Sequence, residues 1–579
     1  MTPKTLLPTR RPLHRTLVAA FVLLGAACES GQTAGSAKGD TASADVPAQP
    51  VDDVSEAGDV PAAGDTQSAT ADTGQDAPPP CGTRAACAAA AEEKAEVRLQ
   101  EVLDDPDALD AFLRAVPKGA DLHNHLTGAV YAENYLDWAR EDGNCVDPET
   151  YGLLFGNKCT DETEPIPESG PFFDAIIRAW SMQDFVPGEE SGHDHFFATF
   201  AKFGLVAGGH RNESIADVLN RAAEENALRV ETMFNLAKNV GAVGASVWSG
   251  PLAAEDLPAF YDAILTDPDF EAALDDDVSV VESAASGYRK PLGCDDIATP
   301  PACEVGLGFL AQVARTGPAD TVFGQLVGAF EMAVRTPWIV GANLSSPEDD
   351  PSSLERYDIH MAMLDFLHGK YTATGVSPLR IALHAGELTQ EYLPAGHTLG
   401  AAAHIRKAVE LGHARRIGHG LDVFSEPDPE GLMATMKERS VLVEICLSSN
   451  IQILEVSGEA HPLRGYMSRG VPVALATDDQ GISRSSMAGE YRRGVLDQEL
   501  GYRELKRMAR DSLEHAFVEG ASLWWSVAEA LPVGDCTPTE ATLLGDPPVG
   551  ACAAFLEAND KARLQWELER RFLEFEGGL

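Results

Sequence analysis

Eight short apolar runs recur along this chain, at 119–125, 228–234, 306–313, 338–343, 380–384, 416–419, 441–446 and 471–477. Each reads as a strand, and several close on a polar residue at the end of the run. Between them, 214–225, 256–274, 320–334, 357–372, 401–411 and 430–439 carry the composition and periodicity of helices, and a short connection through His461 and Pro462 precedes the last run. Strand and helix in alternation specify a parallel sheet with helical crossovers. Eight strands are the number that closes a (β/α)8 barrel of the TIM type, in the α/β class. Pro472 stands near the start of its run, where a missing backbone donor is tolerated.

Four of the runs end in chemistry. The first ends in His123-Asn-His125, and side chains two apart in a strand share a face, so both imidazoles can converge on one metal. His384-Ala-Gly-Glu387, Gly418-His419-Gly420 and Thr477-Asp478-Asp479 follow the fifth, sixth and eighth runs in the same manner. In a barrel such strand ends meet at one mouth. His123, His125, His384 and Asp478 form a three-nitrogen, one-oxygen set that suits Zn2+ with a position left for water, whose pKa the cation lowers towards ~7. Glu387 lies past His384 on the turn and can face a substrate without being a ligand, while His419 is placed to orient the water or take its proton. Asp479 points away from Asp478 if the strand continues; in a turn both line the mouth. A second His-x-His, His193-Asp-His195, follows no apolar run and reads as lid or loop histidines rather than ligands.

Around this core the chain divides into a signal peptide at 1–27, a flexible acidic linker at 28–88 and the barrel domain at 89–579, with an insertion over the mouth at about 131–209. The first segment has a basic start, an apolar run too short to span a bilayer, and Gly25-Ala26-Ala27 before Cys28. Cys28 then carries the lipid of a membrane-anchored lipoprotein; ordinary secretion with cleavage nearby is the alternative. The linker has ten acidic residues against one lysine between Glu29 and Pro80 and too little apolar surface to offset its ordering entropy. A net charge of −46 excludes a nucleic-acid surface and an anionic-membrane surface, and it disfavours phosphorylated substrates more weakly, since a local Arg pocket can coexist with an acidic exterior. Setting Cys28 aside, proximity suggests disulfides Cys81/Cys87, Cys145/Cys159, Cys294/Cys303 and Cys536/Cys552, leaving Cys446 alone, in an extracytoplasmic location at the periplasm or cell surface. Residues 490–526 read as helical, and 553–576 as one amphipathic helix.

Taken in order, Lys118…His123-Asn-His125-Leu-Thr-Gly128, His384-Ala-Gly-Glu387, Gly418-His419-Gly420 and Thr477-Asp478-Asp479 resemble the adenosine deaminase family of metal-dependent barrel hydrolases, over about residues 110–520. The address and the cysteine-bearing insertion are similar to its secreted branch, the adenosine deaminase-related growth factors. The resemblance implies one Zn2+ on His123, His125, His384 and Asp478, with Glu387 protonating purine N1, His419 assisting attack at C6 and Asp479 contacting N7. The implied reaction converts adenosine or 2′-deoxyadenosine to the inosine product and ammonia. Two positions depart from the pattern: Thr127 stands where the family has an Asp contacting ribose, and Ser346 where it has a Gly whose N–H meets N3. Both bear on the substrate more than on the reaction. Other 6-aminopurine nucleosides, an amide substrate and a non-catalytic surface nucleoside-binding protein stay open as alternatives. The His-x-Glu and Pro-Cys-x-x-Cys signature of the nucleobase deaminases is absent.

Overall fold

The computed structural model describes residues 83–579 apart from 189, 297–298, 377–378 and 540. The expected signal peptide, Cys28, nearly all of the linker and Cys81 lie outside the described residues. Two helices open the described chain, α1 (Arg84–Val102) and α2 (Pro106–Ala115). Eight strands follow: β1 (Gly119–His125), β2 (Ala227–Phe234), β3 (Gly306–Ala314), β4 (Ile339–Ser345), β5 (Arg380–Ala385), β6 (Arg416–His419), β7 (Leu442–Ile445) and β8 (Val473–Leu475). Each pairs in parallel with the next in sequence order. The ring closes where Asn124 bridges Asp478: the Asp478 N–H donates to the His123 carbonyl at 2.8 Å, and the His125 N–H to the Asp478 carbonyl at 3.3 Å. All seven residues of β1 are buried, which is why the run carries no solvent-facing alternation.

The insertion is a small layer of its own. Helices α3 (Ala132–Glu141), α4 (Pro171–Trp180) and α5 (Gly192–Gly209) surround a three-stranded sheet that the Cys145–Cys159 bridge braces. Tyr135, Trp180, Phe196 and Phe203 form its centre together with Leu421, Ile453 and Ile482 from the segments that follow the barrel strands at the mouth, so one apolar cluster fastens it there. The Met182 N–H donates to the Ile482 carbonyl at 2.8 Å and adds a polar tie. Cys294–Cys303 and Cys536–Cys552 are also bridged, Cys87 is disulfide-bonded, and Cys446 is free and buried.

Several helix boundaries differ from the sequence reading, each for a local reason. The single helix expected over 256–274 is two, Leu257–Thr266 and Phe270–Gly287, because Pro268 forces Asp267 into an extended conformation that ends the first. The expected helical stretch at 490–526 stops at His515, and Trp524–Ser526 instead pairs antiparallel with Leu531–Pro532. The helix expected at 553–576 is interrupted at Asn559, whose side-chain oxygen accepts the Ala521 N–H at 2.8 Å and so prefers an extended backbone. The resulting C-terminal helices that matter below are α6 (Tyr502–His515) and α7 (Asp560–Gly578). Just after α6, Phe517 closes the barrel floor against Met233, Leu310 and Ala382. No helix among the described residues is long and apolar enough to cross a membrane.

Candidate active site

Strand geometry brings His123 and His125 of β1, His384 of β5 and Asp478 just beyond β8 to one point, with one ligand atom of each within 4.8 Å of the others. His384 Nε2 lies 3.0 Å from His123 Nε2 and 3.1 Å from His125 Nε2, and Asp478 Oδ1 lies 3.5 and 3.4 Å from the same two nitrogens. The far nitrogens are all engaged by side-chain oxygens: His123 Nδ1 by Glu444 at 2.6 Å, His384 Nδ1 by Asn343 at 2.7 Å and His125 Nδ1 by Gln312 at 3.4 Å. A carboxylate or amide oxygen there favours the Nδ1–H tautomer, which turns each Nε2 lone pair inward. Three lone pairs and a carboxylate oxygen facing one another repel; one proton can bridge one pair, whereas a cation satisfies all four. Two ligands held at ~2.0–2.1 Å on tetrahedral directions are ~3.3–3.4 Å apart, so these residues fit a metal ion within a few tenths of an ångström.

The charges say the same. Burial drives His125 down to about 4 and His384 well below the imidazole range. It works against His123 too, yet hydrogen bonds to Asp478 and Glu444 hold that ring up at about 10. The set without metal therefore favours one inward ring proton, on His123 beyond the three on Nδ1, at the position a cation would replace. Beneath it a buried chain of charge runs down the barrel axis. Glu444 on β7 lies 2.6 Å from Arg416 Nε at ion-pair rather than hydrogen-bond geometry, Arg416 donates to Glu231 at 2.6 Å, and Arg229 donates to Glu231 at 2.9 Å. Gly418 makes room for this support, because a Cβ there would lie 2.5 Å from Cε1 of His123.

Opposite the metal set stand the remaining sequence-predicted groups. Glu387 follows the β5 turn, whose Gly386 and Glu387 N–H groups both donate to buried Glu348, at 3.0 and 2.9 Å. Burial raises the Glu387 pKa, with Asp478 adding to the effect and His419 opposing it. His419 Nδ1 pairs with Asn450 Oδ1 at 2.9 Å, so its Nε2 presents a lone pair; that atom has no partner and lies 3.7 Å from Glu387 and 4.0 Å from Asp478. Asp479 is buried with Oδ1 unpartnered, and burial followed by the neighbouring Asp478 charge lifts its pKa well above the carboxylate range. It reaches the mouth only because Gly128 lacks a side chain: a Cβ there would sit 1.6 Å from Asp479 Oδ1. Thr127 is half-buried beneath the insertion, its carbonyl taken by the Tyr135 hydroxyl at 2.8 Å. Ser346 holds φ at +86°, a conformation that favours glycine, and Arg315 Nε fixes its carbonyl at 2.8 Å. His193 and His195 belong to no metal-holding group among the described residues: His193 stacks on Tyr392 and faces Asp349 at 3.3 Å, and His195 faces Glu190 at 3.1 Å.

Sequence reasoning passed over Glu444, Asn343, Gln312, Asn450 and Glu348. For Glu444 a signal existed, since a carboxylate in the middle of a buried apolar strand needs a buried partner. For the others no local pattern marks them.

Residues 305–522 match the family model described as adenosine deaminase. Among curated proteins the chain is 36% identical over 127 residues to the adenosine deaminase of Shewanella loihica, covering 21% of this chain and 37% of that one. It is 31% identical over 140 residues to that of Clostridium acetobutylicum, covering 24% and 38%. The chain thus spans under two fifths of the length of these curated relatives. Among solved structures, an Arabidopsis N6-mAMP deaminase aligns over 71% of this chain and 96% of its own at 19% identity and TM-score 0.45. The adenine deaminase of Arthrobacter aurescens aligns over 69% and 94% at 16% identity and TM-score 0.40.

Proposed function

With residues 305–522 matching the adenosine deaminase model, we propose that the chain is a member of that family, a zinc hydrolase converting adenosine or 2′-deoxyadenosine to inosine or 2′-deoxyinosine with release of ammonia. The observation that carries the reading is the convergence of three inward Nε2 atoms and Asp478 opposite a buried carboxyl whose pKa burial raises, Glu387, and an unpartnered imidazole nitrogen, His419. Zn2+ held by His123, His125, His384 and Asp478 would make a water acidic enough to attack at neutral pH. His419 Nε2 takes the proton of the attacking water as the C6–O bond forms. Glu387 gives its proton to N1, so the ring electrons displaced by attack at C6 end on a neutral nitrogen. Protonated Asp479 donates to N7, a role its raised pKa supports. The Ser346 N–H faces N3, and Thr127 gives the ribose a neutral hydroxyl partner where a carboxylate would give a charged one. When the C6–N bond breaks, the exocyclic amine takes the proton held by His419 and leaves as ammonia, while the hydroxyl proton at C6 returns to Glu387 and the base becomes a 6-oxopurine.

In this proposal the domain works outside the cytoplasm, held by lipid on Cys28. What supports that part is the set of bridges Cys145–Cys159, Cys294–Cys303 and Cys536–Cys552, which persist in oxidising compartments. The test is ammonia release from the zinc-loaded protein with a panel of 6-aminopurines: adenosine, 2′-deoxyadenosine, adenine and AMP. Turnover of the two nucleosides above the others is expected. No ammonia from any of them would overturn the reading.

A further inference from the structure

The barrel floor, at the opposite end from the metal set, holds a cavity of about 350 Å3. Arg380 opens β5, Arg415 directly precedes β6, and Lys561 reaches in from α7, so three basic side chains line one space on a chain whose net charge is −46. Their donors are largely unspent. The Arg415 side chain is exposed and makes no hydrogen bond or ion pair among the described residues. Lys561 gives one of its three hydrogens to the Glu514 backbone carbonyl at 2.7 Å, and Arg380 gives one N–H to exposed Glu519 at 2.7 Å. The His368 ring, stacked on His413 at 3.8 Å, makes no side-chain hydrogen bond among the described residues.

Acceptors on the walls are fewer and partly engaged. Glu514 is the one acidic side chain in the lining, and its Oε2 accepts from Ser522 Oγ at 2.5 Å and Gln565 Nε2 at 2.7 Å. His515 is tied at both nitrogens, donating to the Asp511 carbonyl at 2.8 Å and accepting from Ser440 Oγ at 3.1 Å. Burial pushes the Lys561 ammonium below its ordinary pKa, a cost that an anion in the cavity would offset. Three basic side chains with spare donors face one carboxylate, Glu514, so the balance of the lining favours an anion.

We infer that this cavity is an oxyanion site that takes a phosphate group, free or carried on a small organic body. Guanidinium forks match phosphate oxygens in pairs, and the ammonium supplies a third point of charge. The volume is roughly ten times the ~30 Å3 share of one water, so a sugar-sized body fits beside the phosphate. The site stands on its own geometry and does not depend on the reaction proposed for the mouth.

The test is calorimetric titration of the zinc-loaded full chain with inorganic phosphate and, separately, with ribose 5-phosphate, each against sodium chloride at matched ionic strength. One saturable site per chain is expected. Tighter binding of ribose 5-phosphate would assign the organic ligand, and equal binding the inorganic ion. Arg415→Glu should weaken the binding at least ~10-fold, since it turns a paired charge into a repulsive one. Its unliganded Tm should not fall, because the side chain it replaces has no partner and the new carboxylate shares the space with Arg380 and Lys561. Arg98→Glu, at an exposed position on α1, should leave the binding as it is. No saturation beyond the chloride control, or full retention in Arg415→Glu with phosphate held elsewhere, such as at the metal, would overturn the inference.

Discussion

Glu444→Gln is the substitution that most directly probes how the metal set is held. The native carboxylate is buried between two donors, His123 Nδ1 at 2.6 Å and the Arg416 guanidinium at 2.6 Å. Gln keeps the volume but carries one acceptor and one donor, so it can satisfy only one neighbour. With its NH2 towards His123, the ring must take the Nε2–H tautomer, and a proton then occupies the lone pair that should face the metal. With its carbonyl towards His123, the NH2 meets the Arg416 guanidinium as donor against cation. Losing such a support costs about 10–100-fold in metal affinity, or about 1.4–2.7 kcal/mol. The stability of the metal-free fold should fall by a further amount of about 1.5–3 kcal/mol, the value of a hydrogen bond to a charged group, while Arg416 keeps Glu231 at 2.6 Å. A competition titration of zinc against a chelating dye, with urea unfolding of the metal-free protein beside it, reads the two effects separately. Zinc affinity within threefold of the native protein would refute the tautomer argument.

Three further outcomes are expected. Glu387→Gln should retain zinc and lose about 10²–10⁴-fold in kcat/KM, the usual weight of general acid catalysis, and a variant that loses its metal would mean Glu387 supports a ligand. Asp422 is raised to about 8 by burial, with Glu348 and Glu426 adding to it. Its contribution to stability is fully present below the unfolded carboxyl's ~3.9 and is lost as pH rises to about 8, at about 1.4 kcal/mol per unit. Asp422→Asn should remove that slope, and urea midpoints that still fall equally with pH in the variant would contradict it. Replacing Cys145 and Cys159 with Ala opens a loop of sequence separation 14 and should cost about 3 kcal/mol, with the insertion becoming the first site of protease cleavage; an unchanged denaturation curve would speak against the bridge.

How much of this was legible in the chain follows from the range of each interaction. The strands were legible because burial on both faces makes a run apolar, and the ligands because a barrel brings every strand end to the same mouth. His123, His125, His384 and Asp478 needed only their positions relative to the ends of those runs. The helix break at Pro268 was also written locally and was overlooked, whereas the interruption at Asn559 depends on a partner at Ala521. Tertiary structure alone decided who supports whom. Glu444 reaches His123 across 321 residues of sequence through the closed ring, and His384 and Asn343 meet across 41 on neighbouring strands. It also decided that Asp479 enters the mouth through the space Gly128 leaves, and that Arg380, Arg415 and Lys561 share one cavity. A single charged residue looks alike in sequence whether its neighbour is water or another buried charge, and only the fold distinguishes the two.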